Sequence, residues 1–171
     1  MRKISSILLL SILVVACNDI NQPQQDNKAQ KEFKKIRQAG YELYQPSDSI
    51  KAVLILFGGF PETVVDIKRE FKILEEAKQN SIAVLFMNFN QRLWLEQDVA
   101  DSLTTELQKI FVVNKLPDSA IYIGGFSSGG NISLLLSNHL TKNNHPLSPK
   151  GVFIVDSPID LLKLYKTAQK N

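Results

Sequence analysis

Four short apolar runs recur along the chain, Ala52 to Phe57, Ile82 to Met87, Ala120 to Gly124 and Gly151 to Val155, with amphipathic stretches between them. Each run is apolar throughout, and most are rich in β-branched residues, so each reads as a strand buried on both faces rather than one with a wet side. Between the first two, Thr63 and Asp66 have the spacing of a capping box, and Ile67, Phe71 and Leu74 then recur at helical intervals to about Lys78. Val99, Leu103, Leu107 and Ile110 mark a second helix, and Ile132, Leu135, Leu136 and Leu140 a third; a short closing helix is expected from about Ile159 to Thr167. Tyr41 to Tyr44 alternates before Pro46, as a short outer strand would. Buried strands alternating with helices predict an α/β fold, a predominantly parallel sheet flanked by helices on both faces.

The third run leads directly into Gly125-Phe126-Ser127-Ser128-Gly129. A strand, a tight glycine-flanked turn with serine at its apex and then a helix will hold a nucleophile up at the edge of a sheet. The glycines are needed because the serine backbone is strained and the chain packs closely around it. The five-residue string by itself arises by chance in roughly one chain in twenty of this size. Its setting carries the weight, and it points to acyl-transfer chemistry at Ser127.

The chain ends and composition bound the rest. Arg2 and Lys3, then the apolar stretch Ile7 to Leu13, form a basic and a hydrophobic region too short to span a bilayer comfortably. Val14-Val15-Ala16-Cys17 closes it and resembles a bacterial lipobox, which implies cleavage before Cys17 and a lipid on its thiol. Cys17 is the single cysteine, so no disulfide forms within the chain. The polar, Asn/Gln-rich stretch that follows reads as a flexible tether. The expected organisation is a signal peptide at 1–16, a tether at 17–34 and one domain at 35–171. Removing Arg2 and Lys3 lowers the formal charge from +3 to +1, which leaves no electrostatic footprint for nucleic acid.

From Tyr41 to Asp160 the order of elements resembles the α/β-hydrolase fold, incomplete at its C-terminal end. The resemblance rests on the turn around Ser127 and on Gly58-Gly59-Phe60-Pro61, which is similar to that family's His-Gly-x-Pro turn. It implies Ser127 as nucleophile and an oxyanion hole made by the backbone N–H groups of Ser128 and of Phe60, or alternatively of Gly59. Where the family often has histidine before the glycine, this chain has Gly58 or Phe57. Phe60 and Trp94 are candidates for lining an acyl pocket, or for ordinary core or lid contacts.

A serine nucleophile needs a base and a carboxylate to orient that base. His139 and His145 are the only histidines. His139 lies twelve residues past Ser127 on one helix, some 18 Å away at a rise of about 1.5 Å per residue, on the apolar stripe. His145 lies in a loop leading to the opposite rim of the sheet. The resemblance places the family's histidine and its usual acid beyond Asn171, with Asp156 the better local candidate for the acid and Asp160 a weaker one; the alternative is that both cap the closing helix or line the site. The resulting expectation is a serine hydrolase acting on an ester, thioester or amide of a small-molecule or lipid-like acyl substrate, truncated before its base, anchored by Cys17 to a membrane of the bacterial envelope. No metal or organic cofactor is expected. The alternative is a non-catalytic lipid-anchored protein that binds a ligand or partner on the same scaffold.

Overall fold

The computed structural model describes residues 32–89 and 95–160 together with Lys163 and Lys166. Cys17, the tether up to Lys31, Trp94 and most of the expected closing helix lie outside the described residues; Lys163 and Lys166 are helical.

Each apolar run forms a strand. In chain order the elements are β1 (Phe33–Arg37), β2 (Tyr41–Pro46), β3 (Ala52–Phe57), α1 (Val64–Glu70), α2 (Leu74–Gln79), β4 (Ile82–Met87), α3 (Gln97–Asn114), β5 (Ile121–Phe126), α4 (Ser128–Lys142) and β6 (Gly151–Val155). They build one six-stranded sheet in the order β1-β2-β4-β3-β5-β6. The four strands β4, β3, β5 and β6 run parallel, while β2 is antiparallel to both β1 and β4.

The pleat sorts each strand into two faces. Val53, Ile55 and Phe57 of β3, with Ile121 and Ile123 of β5, pack under Leu103, Leu107 and Ile110 of α3 and Ile132, Leu136 and Leu140 of α4. Leu56, Val84 and Phe86 point the other way, onto Val64 and Ile67 of α1 and Ala77 of α2. Helices therefore cover both faces, as expected, and the central strands are buried for that reason.

Three details depart from the sequence reading. The single helix expected from Thr63 to Lys78 is two. Asp66 accepts from both the N–H and the hydroxyl of Thr63 (2.9 and 2.7 Å) and starts α1 as the spacing predicts. Phe71 then leaves helical geometry (φ −90°, ψ 83°), and its ring meets that of Phe153 on β6 edge-on at 6.1 Å. That tertiary contact outweighs local propensity. The stripe on α4 is also shifted: Leu135 is exposed, and Ser133 and Ser137 are buried in its place, each hydroxyl bonded to the carbonyl one turn back at 2.7 and 2.6 Å. Finally, β1 is a strand whose Phe-Lys-Lys-Ile-Arg sequence lacks strict alternation. Its place comes from pairing with β2 and from the Phe33 ring packed against Tyr44 at 5.8 Å.

Candidate functional site

Parallel strands deliver their C-terminal ends to one rim, and the chain leaves β3, β5 and β6 there through Gly58, Ser127 and Asp156. Ser127 sits between β5 and α4 with φ 51° and ψ −123°, a backbone that an L-residue adopts only under constraint. The constraint is visible. Its N–H donates to Val155 O at 2.9 Å, and its carbonyl accepts from Gly130 N–H at 3.0 Å. A Cβ on Gly125 would run into the Gly129 backbone, and one on Gly129 into the carbonyls of Phe57 and Gly58, so only glycine allows β5, α4 and the β3 turn to approach this closely. The residue is half-buried.

The turn after β3 lies against it: a Cβ built on Gly59 would stand 3.1 Å from the Cβ of Ser127. Both amides of that turn are engaged. Gly59 N–H donates to Glu62 Oε2 at 2.5 Å while Glu62 N–H returns to Gly59 O at 2.7 Å, closing the Gly59–Glu62 turn; its Phe60–Pro61 peptide is cis. Phe60 N–H donates to the Ser128 hydroxyl at 2.8 Å. The Ser128 side chain is thus part of the arrangement, whereas the sequence pointed only to its backbone. The Phe60 ring is half exposed at the rim.

Glu62 is a residue that the sequence reading missed. Burial, then the charge and hydrogen bond of Glu62, pushes the Glu70 carboxyl above the ordinary glutamate range. The local signal was a carboxylate three residues beyond Gly59, a spacing that lets the side chain return to the amide that opens the turn.

Asp156 ends β6 at the same rim with a left-handed backbone (φ 48°) and an exposed side chain. Asp160 accepts from Lys163 N–H at 2.9 Å, the capping alternative that the sequence left open. His139, its side chain only 11% exposed, is a satisfied histidine packed between two helices. Its Nε2 lies 3.2 Å from Asp101 Oδ1 and its Nδ1 3.0 Å from Gln97 Nε2, which ties α4 to α3 along their flank. His145 accepts from Leu147 N–H through Nδ1 at 3.1 Å in the loop that feeds the start of β6, on the rim opposite Ser127. Burial, with the neighbouring His139 charge, pulls its imidazole below the usual histidine range. Among the described residues no three His, Cys, Asp or Glu side chains gather as a metal ion requires.

The fold has counterparts among solved structures. The chain is similar to carboxyl esterase 2 from the mycorrhizal fungus Tuber melanosporum (TM-score 0.57, 17% identity, covering 82% of this chain and 50% of that one). It is also similar to the Francisella virulence factor BioJ (TM-score 0.55, 14%, 77% and 45%) and to esterase Est22 (TM-score 0.55, 14%, 77% and 46%). The chain has the α/β-hydrolase fold. It spans about half the length of these relatives. No protein-family model and no curated protein matches its sequence. At this level of identity the α/β-hydrolase likeness speaks for the path of the chain alone.

Proposed function

We propose that Ser127 is the nucleophile of a serine hydrolase that cleaves an ester, thioester or amide of an acyl substrate. The observation that carries this reading is the backbone of Ser127, held at φ 51° and ψ −123° at the strand–helix junction beside the Gly59 turn. In this reading Oγ attacks the carbonyl carbon as its proton passes to a base, and negative charge collects on the former carbonyl oxygen. The N–H of Ser128, at the head of the fifteen-residue α4, faces that charge with the helix dipole behind it. Collapse expels the alcohol, thiol or amine, and water then releases the acid.

His139 and His145 are both committed away from Ser127. We infer that the base belongs to a segment following β6 in a longer protein, with Asp156 as candidate acid, a reading supported by the share of each relative that the chain spans. The positions of the two histidines also favour a second reading, a lipid-anchored binding protein on the same scaffold. Both readings place Cys17 as the lipid-bearing anchor in the bacterial envelope. Incorporation of radiolabelled palmitate that is lost in Cys17→Ser is the expected result, and equal labelling of that variant removes the anchor.

Imidazole in solution can stand in for an absent histidine base. With it, a fluorophosphonate probe is expected to label the chain about ten-fold faster, forming the Oγ–P bond as fluoride leaves, and Ser127→Ala is expected to show no labelling. A chain that stays unlabelled with and without imidazole refutes the hydrolase reading and leaves the binding one.

A further inference from the structure

Ser128 is the first residue of α4. The residue is buried, with only 6% of its surface exposed. Its oxygen accepts the Phe60 N–H at 2.8 Å, yet no described residue accepts the hydroxyl's own hydrogen. A buried hydroxyl ordinarily spends that hydrogen, as Ser133 and Ser137 do on the carbonyls one turn back at 2.7 and 2.6 Å. Ser128 has no such carbonyl, because one turn back the chain is strand β5. Its N–H likewise has no helical carbonyl one turn back.

We propose that Ser128 is a double oxyanion donor that uses both its N–H and its Oγ–H, with the Phe60 N–H acting through the hydroxyl rather than on the substrate. An N–H donated into a hydroxyl oxygen polarises the O–H bond and strengthens that hydroxyl as a donor. In this arrangement the β3 turn contributes by orienting Ser128, and the Gly59 N–H, held by Glu62, takes no part. The inference deepens the proposed hydrolase reading and rests on it for the reaction, while the donor pair itself can be probed without any nucleophile.

The probe is methyl phenylphosphonate, a tetrahedral monoanion that needs no covalent step, titrated into the ¹⁵N-labelled chain and followed by amide shifts. In the wild type it is expected to shift Ser128 N–H more than Phe60 N–H. Ser128→Ala is expected to weaken binding about ten-fold, the size of one hydrogen bond to a charged acceptor, and to transfer the larger shift to the freed Phe60 N–H. Unchanged or tighter binding by Ser128→Ala overturns the inference, because the hydroxyl is then only a plug on the Phe60 amide. Wild type that binds no phosphonate overturns it as well. Fluorophosphonate labelling on the same samples keeps the two claims apart: phosphonate binding without labelling removes the nucleophile alone, and labelling with unchanged binding by Ser128→Ala removes the donor pair alone.

Discussion

Ser127 carries a cost that its neighbours offset. A residue with a Cβ held at φ 51° and ψ −123° stores about 1–3 kcal/mol, and the bonds to Val155 and Gly130 keep it there. Glycine relieves that strain but also gains freedom in the unfolded chain. Ser127→Gly is therefore expected to raise the unfolding free energy by about 1 kcal/mol, read as a higher urea midpoint at unchanged slope. A lower midpoint would mean that contacts of the serine side chain outweigh the strain. The glycines at 125 and 129 made the bend legible in the sequence, because few other uses require two glycines so placed around a serine. The engagement of Phe60 N–H by Ser128 and of Gly59 N–H by Glu62 was not legible, since a hydrogen bond between residues 60 and 128 depends on two elements meeting.

Among the elements, β2 and α1 are joined by a buried carboxylate with several cationic partners. Glu42, 6% exposed, accepts from Arg37 Nε at 2.6 Å and from Lys68 Nζ at 2.9 Å, with Lys35 at 3.5 Å. Burial pushes its carboxyl up, but the hydrogen bond and charge of Lys68, then Lys35 and Arg37, outweigh that and hold it below the ordinary range. Burial likewise pulls the Lys68 ammonium down, and the bonds to Glu42 and Tyr44 more than reverse it. The depressed acid contributes stability above the ordinary glutamate range and loses it as pH falls through its folded value. The raised lysine contributes below the ordinary lysine range and loses that as pH rises through its folded value. The tie is thus at full strength across neutral pH. Glu42→Gln is expected to cost roughly 1–3 kcal/mol at neutral pH, with the difference from wild type shrinking in acid as Glu42 protonates. Urea unfolding at both conditions measures it, and a constant difference would deny the ion cluster its role. Helix α1 shows the limit of periodicity: Ile67 and Phe71 keep helical spacing, yet Phe71 turns out of the helix to meet Phe153.

For the molecule as a whole, the sheet is covered unevenly. Helices α1 and α2 lie over β3 and β4, while Tyr122, Phe153 and Val155 on the same face of β5 and β6 are 43%, 37% and 43% exposed. Among the described residues β6 is hydrogen-bonded only to β5, so its other edge presents free backbone groups beside an apolar face. Such an edge pairs with whatever strand it meets. The 171-residue chain is expected to self-associate, with a light-scattering mass that rises with concentration, and Val155→Lys is expected to return it toward the monomer. A monomer at every concentration would show that the edge is protected.

The sequence by itself determined the elements that bury apolar side chains from neighbours in the chain: the strands at Ala52, Ile82 and Gly151, the capped start of α1, and the serine bend between β5 and α4. Those follow from short-range sterics and from the 2.0 and 3.6 residue periods. Only the tertiary structure decided the antiparallel seating of β1 and β2, the break at Phe71, the removal of His139 to Asp101, and the partners of the Gly59 and Phe60 amides. Each of these balances a local preference against a contact between residues far apart in the chain, and that balance is struck only when the sheet brings them together.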